Sequence, residues 1–299
     1  MAFDLPSYME ERRKWVDEAL DRCLPPPTAY PSPIHEAMRY SVFGGGKRLR
    51  PILILAATEA MGCDDRRALP LATAMELIHT YSLVHDDLPA MDDSDYRRGQ
   101  LSCHKKFGEA IAILTGDALL TLAFSVVSRE AFAHSLEDQR LAWIIREIAQ
   151  AAGIGGMVGG QTADILSQNK EVDASVLLYV HEHKTGALIR ACLRLGGIIG
   201  KADPSTLETL TDYGEKIGLA FQIGDDILDV EGEEKHVGKE LRKDEAEGKI
   251  TYPRLLGLDY SKRELRRLVE EATQAISSLP ESRTQPLRAI AEHIIQRRN

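Results

Sequence analysis

The stretch LATAMELIHTYSLVHD, residues 71–86, decides the fold class because its apolar side chains recur every three or four residues. The same spacing continues in three other long segments: PILILAATEAMG (51–62), EAIAILTGDALLTLAFSVV (109–127) and RLAWIIREIAQAAG (140–153). The alternation of β-branched and polar residues that is typical of strands is scarce. The sequence therefore predicts an all-α protein.

The interruptions between the helical segments are short, as in FGGGKR at residues 43–48 and KADPS at residues 201–205. None has the composition of a linker, and no repeat of fixed period is present. A chain of 299 residues is long enough for one large domain or two ordinary ones. We predict one helical domain over residues 1–299. The charged stretch 231–249 is expected to be a mobile surface loop or a frayed helix end.

Composition excludes several classes of protein. A net charge of −9 argues against a nucleic-acid partner, since binding to phosphate backbones requires clustered positive charge. The four cysteines form no CxxC pair, which disfavours a zinc knuckle or a disulfide framework. The first twenty residues do not resemble a signal peptide, and Asp117 interrupts the best candidate for a membrane span, residues 110–127. We expect a soluble cytoplasmic protein without a membrane span.

The first motif of chemical interest is a group of five aspartates at the end of the segment IHTYSLVHDDLPAMDDSDYRRG (78–99): Asp86, Asp87, Asp92, Asp93 and Asp95. Carboxylates this close repel one another unless cations lie among them. On a straight helix Asp86 and Asp92 would lie about 120° apart, whereas a kink or bulge at Pro89 would allow them to come together. The alternative interpretation is a solvated acidic helix end.

A second acidic motif, FQIGDDILDV (221–230), lies within an apolar segment. Asp225 and Asp229 share a helix face, which Gln222 joins. Carboxylates among apolar side chains are costly to bury without a hard cation or a hydrogen-bond partner, and ligands that offer only oxygen favour Mg²⁺ over zinc. Because Mg²⁺ typically joins carboxylates to phosphate oxygens, the two motifs suggest a diphosphate clamped between helices.

Basic residues accompany the glycines and the acidic motifs, which fits an anionic substrate. They are Lys47, Arg50, Arg97, Arg98, Lys184, Lys239 and Lys249. The run GGGK does not match a P-loop, because the GxxxxGK[ST] spacing and a preceding strand are missing. His79 lies two helical turns before Asp86 and either points toward the same site or is a core histidine.

With these motifs the sequence resembles the trans-polyprenyl diphosphate synthases, and more closely the bacterial farnesyl diphosphate synthases. The resemblance covers most of the chain. The matching segments are GGGKRLRP (44–51), ELIHTYSLVHDDLPAMDDSDYRRG (76–99), CHKKFGEAIAILTGDALLTLAF (103–124), HKTGALIRA (183–191), FQIGDDILDV (221–230), GKITYP (248–253) and IIQRRN (294–299).

The resemblance implies a bundle of antiparallel helices around a central apolar cavity, assembled as a homodimer. It implies a prenyl transferase that condenses isopentenyl diphosphate head-to-tail with dimethylallyl or geranyl diphosphate to give farnesyl diphosphate. Proton loss completes the reaction, and the released diphosphate is the family's proton acceptor. The charged segment around Lys239 is the candidate lid.

The resemblance also assigns the site residues. Asp86 and Asp92 would hold two Mg²⁺ ions and Asp225 a third. The residues implied to contact the allylic diphosphate are Arg97, Lys184, Thr185, Gln222 and Lys239. The residues implied to bind isopentenyl diphosphate are Lys47, Arg50, His79 and Arg98, while Lys249 would help to cover the site. The catalytic roles fall to Asp86, Asp92, Lys184 and Lys239.

Product length depends in this family on the residue five positions before the first aspartate, here Tyr81, whose bulk favours a fifteen-carbon product. Geranylgeranyl diphosphate synthases share the spacing of Asp86 and Asp92 and remain the first alternative. A terpene cyclase would not need a second anion site. A non-catalytic synthase subunit would be expected to lack one acidic motif, and a helical scaffold with accidental acid clusters is the remaining alternative.

Overall fold

A computed structural model describes residues 3–129, 132, 136, 138–170, 172–231 and 250–296. The α-helices within these ranges are α1 (Leu5–Cys23), α2 (Ser32–Phe43), α3 (Leu49–Ala60), α4 (Leu69–Asp86), α5 (Cys103–Phe107), α6 (Glu109–Val127), α7 (Asp138–Ala152), α8 (Met157–Ser167), α9 (Ala174–Val180), α10 (Ala187–Ile199), α11 (Pro204–Glu231), α12 (Tyr252–Leu256), α13 (Leu258–Ala275) and α14 (Glu281–Gln296). Short 3₁₀ turns cover Asp65–Ala68 and Ile276–Ser278, and a π-helical turn covers His181–Gly186. The predicted all-α fold is confirmed.

The chain divides into two compact units. The N-terminal unit comprises Pro6–Leu55 and Arg66–Ile145. The C-terminal unit comprises Met1–Leu5, Ala56–Asp65 and Arg146–Asn299. The single domain expected from the sequence stays a prediction.

In the N-terminal unit, α4 packs most extensively on α6. Both helices are apolar around most of their circumference, and α4 buries eleven of its residues, as expected for a helix enclosed by others. Helices α2 and α5 pack on the same helix α6. A small apolar cluster of Ala37, Val84, Cys103 and Ala112 joins these four helices.

Helix α6 also has the length and apolar composition of a membrane span, and 39% of its most apolar 18-residue window is buried. Asp117, the residue on which the expectation of no span rests, is exposed near the middle of this helix. A single helix of this kind does not distinguish a membrane span from a core helix. The absence of a span therefore stays a prediction.

The strands of the described ranges form one hairpin, β1 (Tyr96–Arg97) with β2 (Gln100–Leu101), paired antiparallel. The two residues between the strands, Arg98 and Gly99, have φ values of 52° and 76°. Positive φ at both central residues is what a tight turn of type I′ requires. The hairpin reverses the chain directly after the first acidic motif, so that Arg97 and Arg98 stay close to it.

In the C-terminal unit, the long helix α11 packs on α10 and α13 and also contacts the π-helical turn. Tyr213, near the middle of α11, is fully buried and donates a hydrogen bond of 2.7 Å from its hydroxyl to the carbonyl of Leu287 on α14. A buried hydroxyl needs such a partner, because losing its hydration is otherwise costly. This unit thus places the second acidic motif, at the end of α11, on a rigid helix.

Gly116 allows α6 to approach α4 at the end that carries the first acidic motif. A methyl group at Gly116 would overlap the ring of His85, the residue before Asp86. Overpacking costs about 1–3 kcal/mol, and the close overlap with His85 Nε2 belongs at the upper end of that range. After the gain of about 1 kcal/mol expected when alanine replaces glycine in a helix, a net loss of about 2 kcal/mol remains. We expect Gly116→Ala to lower Tm by about 4–8 °C in thermal unfolding followed by circular dichroism.

Gly155 provides the matched control for this substitution. A methyl group at Gly155 meets no atom within 4 Å, and its φ does not lie in the left-handed range. We therefore expect Gly155→Ala to leave Tm unchanged or slightly raised. A Gly116→Ala protein as stable as the wild type would show that the His85 ring moves aside without cost.

Candidate active site

The first acidic motif lies in the turn that ends α4. The helix stops at Asp86, and Pro89 follows three residues later. The chain then turns back, and the backbone N–H of Asp92 donates a hydrogen bond of 2.8 Å to the carbonyl of Asp86. Both aspartates are partly buried. The structure therefore brings together two residues that a straight helix would have separated, but it does so by ending the helix at Asp86 and not by a kink within it.

Asp87, the neighbour of Asp86, has a different environment. It is only 2% exposed, and its carboxylate accepts from two nitrogens of Arg97: Nε, at 3.0 and 3.2 Å from the two oxygens, and Nη2. A charged, two-pronged pair of this kind fixes both side chains. The structure thus shows Arg97, an expected substrate contact, bound to Asp87. Sequence reasoning gave Asp87 no role, although an arginine that follows the motif closely was an available signal.

The N-terminal unit also gathers a group of cations around His79. Arg50 Nη1 lies 3.2 Å from His79 Nε2, and Arg98 donates to the carbonyl of Gly45 in the glycine loop that precedes Lys47. Burial, followed by the positive charge of Arg50, holds the pKa of His79 well below its usual value. The imidazole is therefore neutral and accepts a hydrogen bond from Arg50. The four residues expected to bind isopentenyl diphosphate lie in this one unit.

The second acidic motif repeats the contrast seen in the first. Asp225 and Asp229 are partly buried, whereas Asp226 is only 2% exposed. The Asp226 carboxylate accepts hydrogen bonds of 3.0 Å from the Gln222 side chain and from the backbone N–H of Tyr252. In each motif the second aspartate of the pair, Asp87 or Asp226, is thus buried and hydrogen-bonded within the protein. The first, Asp86 or Asp225, is only partly buried.

Lys184 and Thr185 lie in the π-helical turn His181–Gly186. Thr185 Oγ1 donates to Gln222 Oε1 at 2.7 Å, so the expected substrate contact Gln222 is bonded to both Thr185 and Asp226. Lys184 Nζ lies 2.5 Å from Asp164 on α8, a partner that sequence reasoning missed. Gly160 on α8 permits this approach, because a methyl group there would overlap the backbone of Lys184.

His181 is the first residue of this turn and was left unassigned by sequence reasoning. It is 4% exposed, stacks on the ring of Tyr252, and places Nε2 3.5 Å from Asp226. Burial, followed by the charge of Lys184, lowers its pKa to about 3. A neutral His181 therefore packs against the Asp226 network. Nothing in the spacing of the chain's histidines marked it out.

Asp93, Asp95 and His104 form a further group with ligand atoms within 4.8 Å of one another. The group shares no member with the expected ligands Asp86, Asp92 and Asp225. Asp95 also pairs with Lys105 at 2.7 Å. An imidazole ligand suits transition metals and zinc better than Mg²⁺, so this group and the expected magnesium ligands differ in their chemistry.

Two expected substrate contacts, Lys239 and Lys249, lie outside the described residues, as does most of the candidate lid. For the other assigned residues the structure gives positions. Those in the N-terminal unit are Lys47, Arg50, His79, Tyr81, Asp86, Asp92, Arg97 and Arg98, and those in the C-terminal unit are Lys184, Thr185, Gln222 and Asp225.

Comparison with known proteins decides the family. Residues 31–285 match the family model described as polyprenyl synthetase. The chain belongs to the polyprenyl synthetase family. This polyprenyl synthetase is 46% identical to the farnesyl diphosphate synthase of Escherichia coli (strain K12) over 297 residues, which is 98% of the chain and 99% of that protein.

Relatives that make a longer product are also close to this polyprenyl synthetase. It is 43% identical to geranylgeranyl pyrophosphate synthase 11, chloroplastic, of Arabidopsis thaliana, over 100% of the chain and 84% of that protein. Among solved structures, it superposes with a TM-score of 0.88 on an FPP/GFPP synthase from Zymomonas mobilis, at 37% identity over 99% and 100% of the two chains. The comparisons thus support a prenyl transferase and leave product length between farnesyl and geranylgeranyl.

The donor groups of this polyprenyl synthetase fit Mg²⁺. Asp86 and Asp92 offer carboxylate oxygens, and the hydrogen bond between their backbones keeps the two residues adjacent. Asp225 offers a carboxylate that is partly buried on α11. Oxygen ligands from one or two carboxylates, with the remaining positions left to water and phosphate, are the usual environment of Mg²⁺ in proteins.

Proposed function

We propose that the chain is a Mg²⁺-dependent prenyl transferase that makes farnesyl diphosphate. It condenses isopentenyl diphosphate head-to-tail with dimethylallyl diphosphate, and then with geranyl diphosphate. Asp86 and Asp92 hold two Mg²⁺ ions and Asp225 holds a third. Membership of the polyprenyl synthetase family supports the reaction class. The chain length of the product and the number of ions belong to the proposal.

One observation supports the proposal beyond family membership. The N-terminal unit contains two groups of opposite charge, the acidic turn at Asp86 and Asp92 and the cationic group around His79. An acidic turn binds a diphosphate through metal ions, whereas arginines and a lysine bind one directly. Two substrates that each carry a diphosphate would use both the acidic turn and the cationic group. A terpene cyclase binds one diphosphate and needs only the acidic turn.

Within this proposal the residues bind, orient and exclude water. Lys47, Arg50 and Arg98 fix the diphosphate of isopentenyl diphosphate. His79 is neutral and adds no further positive charge to these three cations. Lys184 and Thr185 contact the allylic diphosphate, which Gln222 also approaches. Asp86, Asp92 and Asp225 would hold Mg²⁺, which would supply stabilisation of the charge that develops on the departing diphosphate. Fixing both substrates in a dry cavity allows the allylic carbon to meet the isopentenyl double bond before it meets water.

Incubation of the purified protein with isopentenyl diphosphate tests the proposal. Dimethylallyl, geranyl and farnesyl diphosphate are supplied in turn, with and without Mg²⁺, and products are resolved by chain length. We expect Mg²⁺-dependent accumulation of the fifteen-carbon diphosphate from the first two acceptors and little product from the third. A twenty-carbon product would make the protein a geranylgeranyl diphosphate synthase. No condensation with any acceptor would reject prenyl transfer between these substrates.

The homodimer and the cytoplasmic location remain part of the proposal. Light scattering on the eluate of a size-exclusion column distinguishes a dimer from a chain of 33.2 kDa. A single species of twice that mass is the expected result. Recovery of activity in the soluble fraction after cell lysis, and not with membranes, is the expected result for the location.

A further inference from the structure

Arg48 is a buried cation in the glycine loop that joins α2 to α3. It is 4% exposed and lies between Lys47 and Arg50, two residues proposed to bind isopentenyl diphosphate. Its φ is 51°, in the left-handed region that non-glycine residues rarely adopt. A buried charge and a strained backbone persist only where the surroundings compensate for both.

The guanidinium of Arg48 is bonded to three different helices. Its Nε donates to Asp17 Oδ1 on α1 at 2.8 Å, and its Nη1 donates to Glu76 Oε1 on α4 at 2.6 Å. Its Nη2 donates at 2.8 Å to the carbonyl of Val42, in the last turn of α2. The planar fork of an arginine serves three such acceptors at once, whereas a lysine ammonium cannot reproduce this geometry.

The partner Glu76 connects Arg48 to the cationic group. Glu76 precedes His79 by three residues on α4, so the two side chains lie on one helix face. Arg48 bonds to Glu76 while Arg50 contacts His79 at 3.2 Å. Arg48 in the loop and Arg50 in the first turn of α3 thus contact two positions of α4 that lie about one helical turn apart. This arrangement fixes the register of the loop on the helix.

Charge also matters in this group. Arg48, Arg50, Arg97 and Arg98 all contribute positive charge at His79, and like charges disfavour one another. Buried carboxylates offset this repulsion: Glu76, whose side chain is 2% exposed, pairs with Arg48, and Asp87 pairs with Arg97. Without Glu76 the arginines would be expected to move apart before any substrate binds.

We propose that Arg48 and Glu76 are positioning residues for the isopentenyl diphosphate site, holding Lys47 and Arg50 in place before the substrate arrives. The inference rests on the proposed function, because it assigns that substrate to the cationic group. Neither residue needs to touch the substrate. Preorganised cations bind an anion more tightly than cations that must first be ordered.

An ordinary stabilising ion pair is the competing explanation. It predicts that substitutions of Arg48 or Glu76 lower Tm and the fraction of the protein that is folded and active. The protein that remains folded would bind both substrates with wild-type affinity. The positioning role predicts a selective effect. Binding of isopentenyl diphosphate weakens, and binding of the allylic substrate does not.

Three variants separate the two explanations. Arg48→Lys keeps the charge and loses the planar guanidinium, and Glu76→Gln keeps the shape of the side chain and loses its charge. The double variant Arg48→Met with Glu76→Leu removes both charges. Replacing a buried ion pair by apolar side chains is often neutral or favourable for stability. The double variant therefore tests binding in a folded protein even if a single variant fails to fold. The matched control is Arg13→Lys, an arginine of α1 in an exposed pair with Glu10.

The dissociation constant of isopentenyl diphosphate by titration calorimetry and the KM of each substrate are the measurements, taken well below the Tm of each variant. For the three variants we expect the dissociation constant and the KM of isopentenyl diphosphate to rise at least tenfold. The KM of geranyl diphosphate should stay within twofold of the wild-type value. The control should match wild type. Normal isopentenyl diphosphate binding by any folded variant, or equal changes for both substrates, overturns the inference. An inactive wild type would instead reject the proposed function.

Discussion

Asp86→Ala is expected to lower kcat/KM for condensation by about 10³-fold or more, with the fold retained. A bound divalent ion supplies several kcal/mol of stabilisation to charge that develops on a leaving group, and each 1.36 kcal/mol corresponds to a factor of ten. Asp86 is the residue at which α4 ends, and its backbone anchors Asp92. That anchor is a backbone carbonyl, which alanine keeps. The same direction and order of loss are expected for Asp225→Ala.

The measurement is steady-state turnover of isopentenyl and geranyl diphosphate as a function of Mg²⁺ concentration, with circular dichroism to confirm folding. Asp117→Ala is the matched control, because Asp117 is an exposed aspartate of α6 in the same unit. It should retain wild-type turnover. An Asp86→Ala protein with turnover near wild type at the same Mg²⁺ concentration would remove Asp86 from the proposed metal site.

The helices themselves could be predicted because their signal is local. The spacing of apolar residues in 71–86 and 109–127 gives helices with nearly the observed ends, α4 at Leu69–Asp86 and α6 at Glu109–Val127. A disturbance of α4 was predicted at Pro89, which cannot continue an undisturbed helix. The structure shows the end of the helix at Asp86 instead of a kink or bulge. The hairpin of β1 and β2 was not predicted. Its strands have two residues each, too few for an alternation of apolar and polar residues to be recognised.

The sequence identified the acidic motifs, but it could not say which aspartate of each pair turns inward. Neighbouring residues on a helix point about 100° apart, and the direction of the core is set by packing, which one sequence does not reveal. Asp87 and Asp226 are the buried members. Gln222 shows the same limit, since it was placed on the face of Asp225 and its side chain bonds to Asp226.

Contacts between distant parts of the chain were the least accessible. Arg48 meets Glu76 across 28 residues, and Lys184 meets Asp164 across 20. Both arise where a glycine-containing loop or a π-helical turn departs from regular geometry, so helical periodicity says nothing about them. A buried arginine between Lys47 and Arg50 reads in sequence as one more basic residue.

Tyr81→Ala is expected to shift the main product from fifteen to twenty carbons or more. Tyr81 is 6% exposed, and its ring meets the ring of His85 edge-on with centroids 5.8 Å apart. His85 is in turn held by α6, with Nε2 2.9 Å from the carbonyl of Ile113. Burial, followed by the charge of Asp86, raises the pKa of Tyr81 to about 12, so the phenol stays neutral. A rigid, neutral ring near Asp86 is suited to stopping a growing apolar chain, and alanine removes it.

The test must separate cavity size from loss of stability, because replacing a large buried aromatic residue by alanine costs about 3–5 kcal/mol. Tyr81→Phe is the matched control, since it keeps the ring and loses only the hydroxyl, and it should still give the fifteen-carbon product. Tyr81→Leu is the milder second variant, for which a mixture of fifteen and twenty carbons is expected. Products are resolved by liquid chromatography and mass spectrometry at a temperature where each variant is folded. If folded Tyr81→Ala and Tyr81→Leu both stop at fifteen carbons, the ring of Tyr81 does not set the product length, and another part of the cavity wall must.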